Sequence, residues 1–348
     1  MWERFCIFAG NMENENKKLT PMRFLADTME MPWGAVEYKL ADLGFVDSVA
    51  CEGWLKGNNL SDIMQTYLER VVGETAFNWY GTQFPVLVKR LTVKDKTSLH
   101  VTADDETAEQ RYDAFGKTAL WFVEKAGADA TLYLGFKEDI TAEQFYKSCH
   151  ENNVEKLLHK VKPKAGEAYL ITPGMVHAAK DVTLLEIAEA SELWFRLYDW
   201  GKDDRELHLE EAFDLIDFQR YRVKREIPGQ AGNDGTVGAG NDGTVGAGND
   251  AGAIAITPQF TVNQFALSQP LKSTRDEDDT FLLYYCTKGQ ADIQADKVNY
   301  KMKEGDLILV PAEVNEFFLL PETQDAELLE IRMDPRQEDD IVSEPVDE

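Results

Sequence analysis

The chain has 348 residues, 43% of them hydrophobic, enough to bury one large core or two smaller ones and too many for wholesale disorder. Its 36 lysines and arginines stand against 63 acids, a net charge of −27. That charge argues against nucleic-acid partners, whose backbone needs neutralising cations, and leaves any anionic ligand dependent on a local cluster of positive groups. Cys6, Cys51, Cys149 and Cys286 form no Cys-x-x-Cys pair and read as reduced thiols. With no signal-peptide layout and no run of about 18 apolar residues, a cytoplasmic protein with no membrane partner is expected.

Residues 11–20 are polar, and residues 1–20 read as a loose lead-in. Ser61–Val72 has helical spacing, with Ile63, Met64, Tyr67, Leu68 and Val71 on one side and Ser61 as N-cap. Residues 84–91 form a buried-strand run, and Thr97–Thr102 alternates so that Ser98, His100 and Thr102 share a face. Residues 120–134 read as a hairpin turning near Gly127. Thr141–Lys160 reads as a helix capped by Thr141, Leu184–Tyr198 as two strands broken near Ala190-Ser191, and Glu210–Phe218 as a short helix. An eight-residue unit, Ala231-Gly232-Asn233-Asp234-Gly235-Thr236-Val237-Gly238, repeats as residues 239–246, and its composition forbids a packed core. Residues 228–253 are therefore expected to be a linker, 254–334 a β domain, and 335–348 an acidic, disordered tail.

One motif occurs twice. Lys164-Ala165-Gly166-Glu167 leads into an apolar strand, Pro173-Gly174 and His177; Lys303-Glu304-Gly305-Asp306 leads into an apolar strand, Pro311 and Asn315. Many short strands with Gly and Pro turns, present in two copies, predict a mostly β fold.

Gly166, Pro173-Gly174 and His177 resemble the second motif of the cupin superfamily. With Phe84–Lys89, Ser98–Asp105, Gly116–Ala119, Leu185–Ile187 and Phe195–Trp200 in order, and Pro32-Trp33-Gly34 upstream, the chain resembles class I mannose-6-phosphate isomerases of the short bacterial type. The resemblance implies two cupin-like jelly-roll β-barrels in tandem, with a helical insertion in the first, the N-terminal domain spanning 21–227. It also implies interconversion of mannose 6-phosphate and fructose 6-phosphate, a zinc cofactor (Zn2+) and a small sugar phosphate as partner. A monomer is expected.

The family's zinc-ligating His and Glu positions fall on Thr102 and Ala119, and only His177 keeps its residue; His100 stands in place of the family's assisting Gln. A metal site here would rest on His177 and His100 with a third ligand from elsewhere, Glu186 or Glu124 being candidates. The resemblance further assigns proton transfer and charge stabilisation to Arg196 and Lys117, and substrate phosphate to Ser98 and Lys89. Each also has a structural reading, as a core histidine, an ion-pair partner or a turn residue. Two functions stay open: a metal-assisted isomerase working through an enediol, and a catalytically inactive sugar-phosphate-binding sensor or scaffold.

Overall fold

A computed structural model describes residues 17–202, 205–221, 251–276 and 279–333. The chain is mostly β and divides into two compact units. One comprises the described parts of Leu25–Ser48 and Pro85–Gly235; the other, those of Met1–Phe24, Val49–Phe84 and Thr236–Glu348. The Gly-Asn-Asp repeat, the acidic tail and most of the lead-in lie outside the described residues, whereas Ala251–Gly252–Ala253, assigned to the linker, belongs to a strand.

The first unit contains β1 (Asp27–Met31), β2 (Gly34–Leu40), β3 (Asp42–Leu43), β4 (Val46–Asp47), β5 (Val86–Val93), β6 (Leu99–Val101), β7 (Ala119–Phe136), β8 (Leu158–Val161), β9 (Ala168–Ile171), β10 (His177–Glu189) and β11 (Phe195–Tyr198). Nine of these form one antiparallel sheet in the order β1-β2-β5-β10-β6-β11, with β7 pairing β10, β8 and β9. Two apolar clusters fill it. Trp33, Leu91, Trp121 and Tyr169 mark one, and Leu99, Phe136, Phe145 and Leu197 mark the other. Residues 119–123 are buried on both faces, which is why they read as a continuous apolar run rather than an alternating one.

The expected hairpin at Gly127 is absent: β7 runs unbroken for 18 residues. The glycine is needed for close approach. A Cβ there would lie 2.1 Å from Asp181 Oδ2, the carboxylate that accepts the Asp129 N–H at 2.9 Å. The irregularity belongs to the partner strand, where Asp181 has a φ of 49° and the register shifts between Lys180 and Val182. The helix expected over Thr141–Lys160 stops at His150. Its start is the reciprocal Thr141/Gln144 capping box, but Asn152 takes a φ of 52° and Leu158–Val161 pairs with β7 instead. Leu209–Ala212 is helical and Phe213–Leu215 continues as a 3-10 turn.

The other unit contains β12 (Ala251–Ile256), β13 (Thr261–Ala266), β14 (Leu271–Thr274), β15 (Leu282–Lys288), β16 (Gln290–Ala295), β17 (Val298–Lys303), β18 (Leu307–Val310), β19 (Glu316–Pro321) and β20 (Glu327–Arg332). They form a five-stranded sheet, β12-β13-β20-β15-β18, and a four-stranded one, β14-β19-β16-β17. Helices Leu60–Tyr67, Glu69–Val72 and Glu74–Tyr80 belong here, not to the N-terminal domain that the sequence suggested. Backbone bonds fix them: Ala312 N–H donates to Val71 O at 2.9 Å and Phe281 N–H to Val72 O at 3.2 Å, and Arg70 pairs with Glu313 at 2.9 Å. The first of these helices begins at Leu60, with Asn59 rather than Ser61 at the N-cap, and Leu68, with a φ of 50°, breaks the expected continuous helix.

The repeated motif is a turn built alike in both units. Gly166 and Gly305 have φ values of +86° and +88°, a conformation that favours glycine. Glu167 Oε2 accepts the Lys164 N–H at 2.9 Å, and Asp306 Oδ2 accepts the Lys303 N–H at 3.0 Å. The acid of each motif therefore caps its own turn. No described helix is long and apolar enough to cross a membrane, and the three cysteines among the described residues are free thiols.

Candidate functional site

The turn at Pro173-Gly174 delivers His177 to the first position of β10. Gly174, at a φ of +82°, donates its N–H to Thr102 O at 3.0 Å, which ties the turn to the end of the β6 segment. There His177 lies directly opposite His100, so the two imidazoles come together with ring centroids 6.2 Å apart. Trp121 packs edge-on to His177 at 5.4 Å, and Trp194 flanks His100 at 4.6 Å. The Met175 carbonyl accepts a hydrogen bond from His177 Nδ1 at 2.9 Å, leaving Nε2 as the ring's acceptor. Burial pushes both imidazoles below the ordinary histidine value, and for His100 the neighbouring His177, Arg196, Arg205 and Lys117 push further in the same direction. Both rings are neutral at pH 7.

Beneath them lies a quartet of charges. Glu186, opposite Trp121 in the register, accepts Trp121 Nε1–H at 2.8 Å. Its other oxygen meets Lys89 Nζ at 3.0 Å and Lys117 Nζ at 3.3 Å. Glu192 pairs with the same two ammonium groups at 2.5 and 3.8 Å. Burial alone would raise both carboxyls, but Lys89 and Lys117 outweigh it and hold each below the usual range. Burial likewise lowers Lys89, and Glu186 and Glu192 overcome it, so its pKa is raised. Two positive and two negative groups thus balance.

Thr102 turns its hydroxyl to Lys117 O at 2.9 Å. Ala119 is buried in the apolar core and has no donor atom. Glu186 is held by two lysines and Trp121, and Glu124 by Arg90 at 2.6 Å, so neither candidate third ligand is available to the histidines. Among the described residues no group of three or more His, Cys, Asp or Glu side chains is arranged to hold a metal ion. A catalytic zinc takes about three protein ligands and an open position. Two imidazoles beside two ammonium groups do not fit it.

Ser98 is fully buried and donates to Asp199 Oδ1 at 3.0 Å, and Asp199 in turn holds Arg205 at 2.6 Å. Arg196 lies opposite His100 on β11. Its Nη1 donates to Glu206 O at 2.8 Å, and its guanidinium stands 5.0 Å over the Trp194 ring. A cavity of about 170 Å3 borders Thr102, Asp104 and the Pro173-Gly174 turn. Sequence reasoning missed Trp121, Trp194, Glu192 and His208. The signal for Trp121 was present, since it alternates with Ala119 on one strand face. His208 accepts the Arg196 backbone N–H at 3.1 Å and fixes that strand end.

A family model described as "Mannose-6-phosphate isomerase, cupin domain" matches residues 253–324. Mannose-6-phosphate isomerase ManA of Bacillus subtilis is 25% identical over 324 residues, 86% of this chain and 95% of that protein. A mannose-6-phosphate isomerase of Streptococcus mutans is 26% identical over 76% of this chain and 78% of its own. Among solved structures, the mannose 6-phosphate isomerase from Bacillus subtilis superposes with a TM-score of 0.74 at 20% identity, covering 90% of this chain and all of that one. Variants of the phosphomannose isomerase from Salmonella typhimurium superpose at 0.71. The chain is similar to mannose-6-phosphate isomerases over most of its length, and residues 253–324 match the cupin domain described for that family.

Proposed function

We propose that this protein is a ligand-binding member of the family, taking a sugar phosphate at the His100–His177 strand pair without metal-assisted isomerisation. Each unit is then a cupin-like barrel, and the first carries the ligand. Moving a proton between adjacent carbons of an aldose and a ketose phosphate passes through an enediol, whose oxyanion needs a metal or fixed donors. The observation that carries the reading is the fate of the ligand positions. Thr102 is turned to a backbone carbonyl, Ala119 offers nothing, and the nearby Glu186 is committed to Lys89, Lys117 and Trp121. His100, Trp194 and Arg196 supply a ring wall and a guanidinium suited to a sugar and its phosphate.

One observation favours a second reading. His177 is a neutral imidazole whose Nε2 is its acceptor, beside a second neutral imidazole and an ammonium group, and such a set can act as base and donor. Calorimetry with mannose 6-phosphate and fructose 6-phosphate, run beside a coupled turnover assay, separates the two. Saturable binding that Arg196→Ala and Trp194→Ala weaken, with no turnover, supports the binding reading. Turnover in metal-stripped protein that disappears in His177→Ala supports the second, and absence of binding removes both.

A further inference from the structure

The C-terminal unit repeats the arrangement around His177, position by position in the strand register. In the first unit Ala119 opposes Ile171, Trp121 opposes Glu186, Glu186 opposes Lys89, and His177 opposes His100. In the other, Leu282 opposes Val310, Tyr284 opposes Glu330 and Glu330 opposes Asn263. Arg275 then donates its backbone N–H to Asn315 O at 2.9 Å. The side chains follow the same plan. Tyr284 Oη–H donates to Glu330 Oε2 at 2.7 Å, as Trp121 Nε1–H does to Glu186 Oε2. Asn263 Nδ2–H donates to Glu330 Oε1 at 3.2 Å, where Lys89 meets Glu186. Arg275 thus takes the place of His100, and Asn315 that of His177.

The exchange of an imidazole for a guanidinium changes what the position can hold. Arg275 Nη1 donates to Pro311 O at 3.1 Å, but Nη2 is buried with no acceptor among the described residues. Among the described residues, the carboxylates that act on it are Asp279 and Glu330. Glu330 accepts from Tyr284 at one oxygen and from Asn263 at the other, and Asp279 Oδ2 accepts the Asp276 N–H at 2.9 Å. A buried donor without an acceptor among the described residues leaves a hydrogen bond for a ligand oxygen to complete. A guanidinium fork matches a planar or tetrahedral oxyanion, and Arg275 as a whole residue is partly exposed.

We propose that the C-terminal unit holds a second ligand site, in which Arg275 binds a small oxyanion, a carboxylate or a phosphate, beside Tyr284, Glu330, Asn263 and the Pro311–Asn315 turn. The test is NMR of the full chain labelled with 15N-arginine, titrated with inorganic phosphate and separately with acetate. The Arg275 Nε–H signal is identified by its loss in Arg275→Lys. A saturable shift of that signal is expected, persisting in His177→Ala, together with a phosphate-dependent rise in melting temperature that Arg275→Gln abolishes. Saturation by phosphate alone assigns a phosphate ligand, and saturation by acetate a carboxylate. No saturable shift with either anion overturns the proposal, as does a shift that vanishes in His177→Ala. An undiminished phosphate effect in folded Arg275→Gln also overturns it, and the unmodified protein decides alone should that variant not fold.

Discussion

Glu186→Gln isolates the charge quartet. The glutamine keeps an oxygen for Trp121 Nε1–H but leaves Lys89 and Lys117 facing Glu192 alone. The side chains of Lys89, Lys117 and Glu186 are 8, 6 and 8% exposed, and that of Glu192 is 15%, so solvent screens little of the imbalance. Removing one partner of a buried pair costs about 3–5 kcal/mol, and since Lys89 retains Glu192 at 2.5 Å the lower end applies, roughly 3 kcal/mol by urea unfolding at pH 7. Adding Lys117→Met restores balance, and the double variant is expected to recover about 1–2 kcal/mol of the loss. The pH dependence has a definite sign. Glu186 is depressed in the folded chain, so its contribution is present above the unfolded carboxylate value of about 4.3 and is lost as pH falls through the folded value. The gap between wild type and Glu186→Gln therefore narrows in acid. A loss below about 1 kcal/mol, or a double variant as weak as the two singles added, refutes the reasoning.

Three further outcomes are expected. Gly34→Ala places a Cβ 1.9 Å from Thr92 O at a φ of +150°; backbone cannot give way as a side chain can, and a loss of about 1–3 kcal/mol is expected in chemical denaturation. Thr102→His with Ala119→Glu restores the ligand types that the family resemblance implies at these two positions, so the double variant should bind zinc by calorimetry and gain melting temperature when it is added. A folded variant with no zinc uptake contradicts the placement of the site. His100 and His177 have lowered pKa values, so neither should titrate at the ordinary histidine pH in NMR spectra, and their burial should cost stability as pH falls below about 6.5; normal titration of either ring contradicts it.

What was legible in the sequence was local. The Lys-x-Gly-acid motif carries its glycine and its capping acid within four residues, and Thr141 with Gln144 announces a helix start. His100 and His177 were paired through the family resemblance, which carries long-range register that spacing alone does not. Gly127 misled because a glycine admits a turn and a close approach equally, and only the fold brings Asp181 against it. The quartet was hidden for the same reason: Lys89 and Glu192 stand 103 residues apart. Helices 60–80 were assigned to the nearer sequence neighbours, whereas their backbone partners are Phe281 and Ala312. The parallel between Arg275 and His100 appears only once the strands are in register.

In the proposed function, Thr102 and Ala119 stand where the family resemblance implies metal ligands and do not support a metal-assisted isomerisation. The direct measurement is formation of fructose 6-phosphate from mannose 6-phosphate by metal-stripped protein, with and without added zinc, beside His177→Ala. No zinc-dependent turnover is expected from folded protein. Turnover that appears with zinc and disappears in His177→Ala would contradict it and require a ligand set that Thr102, Ala119 and Glu186 do not provide.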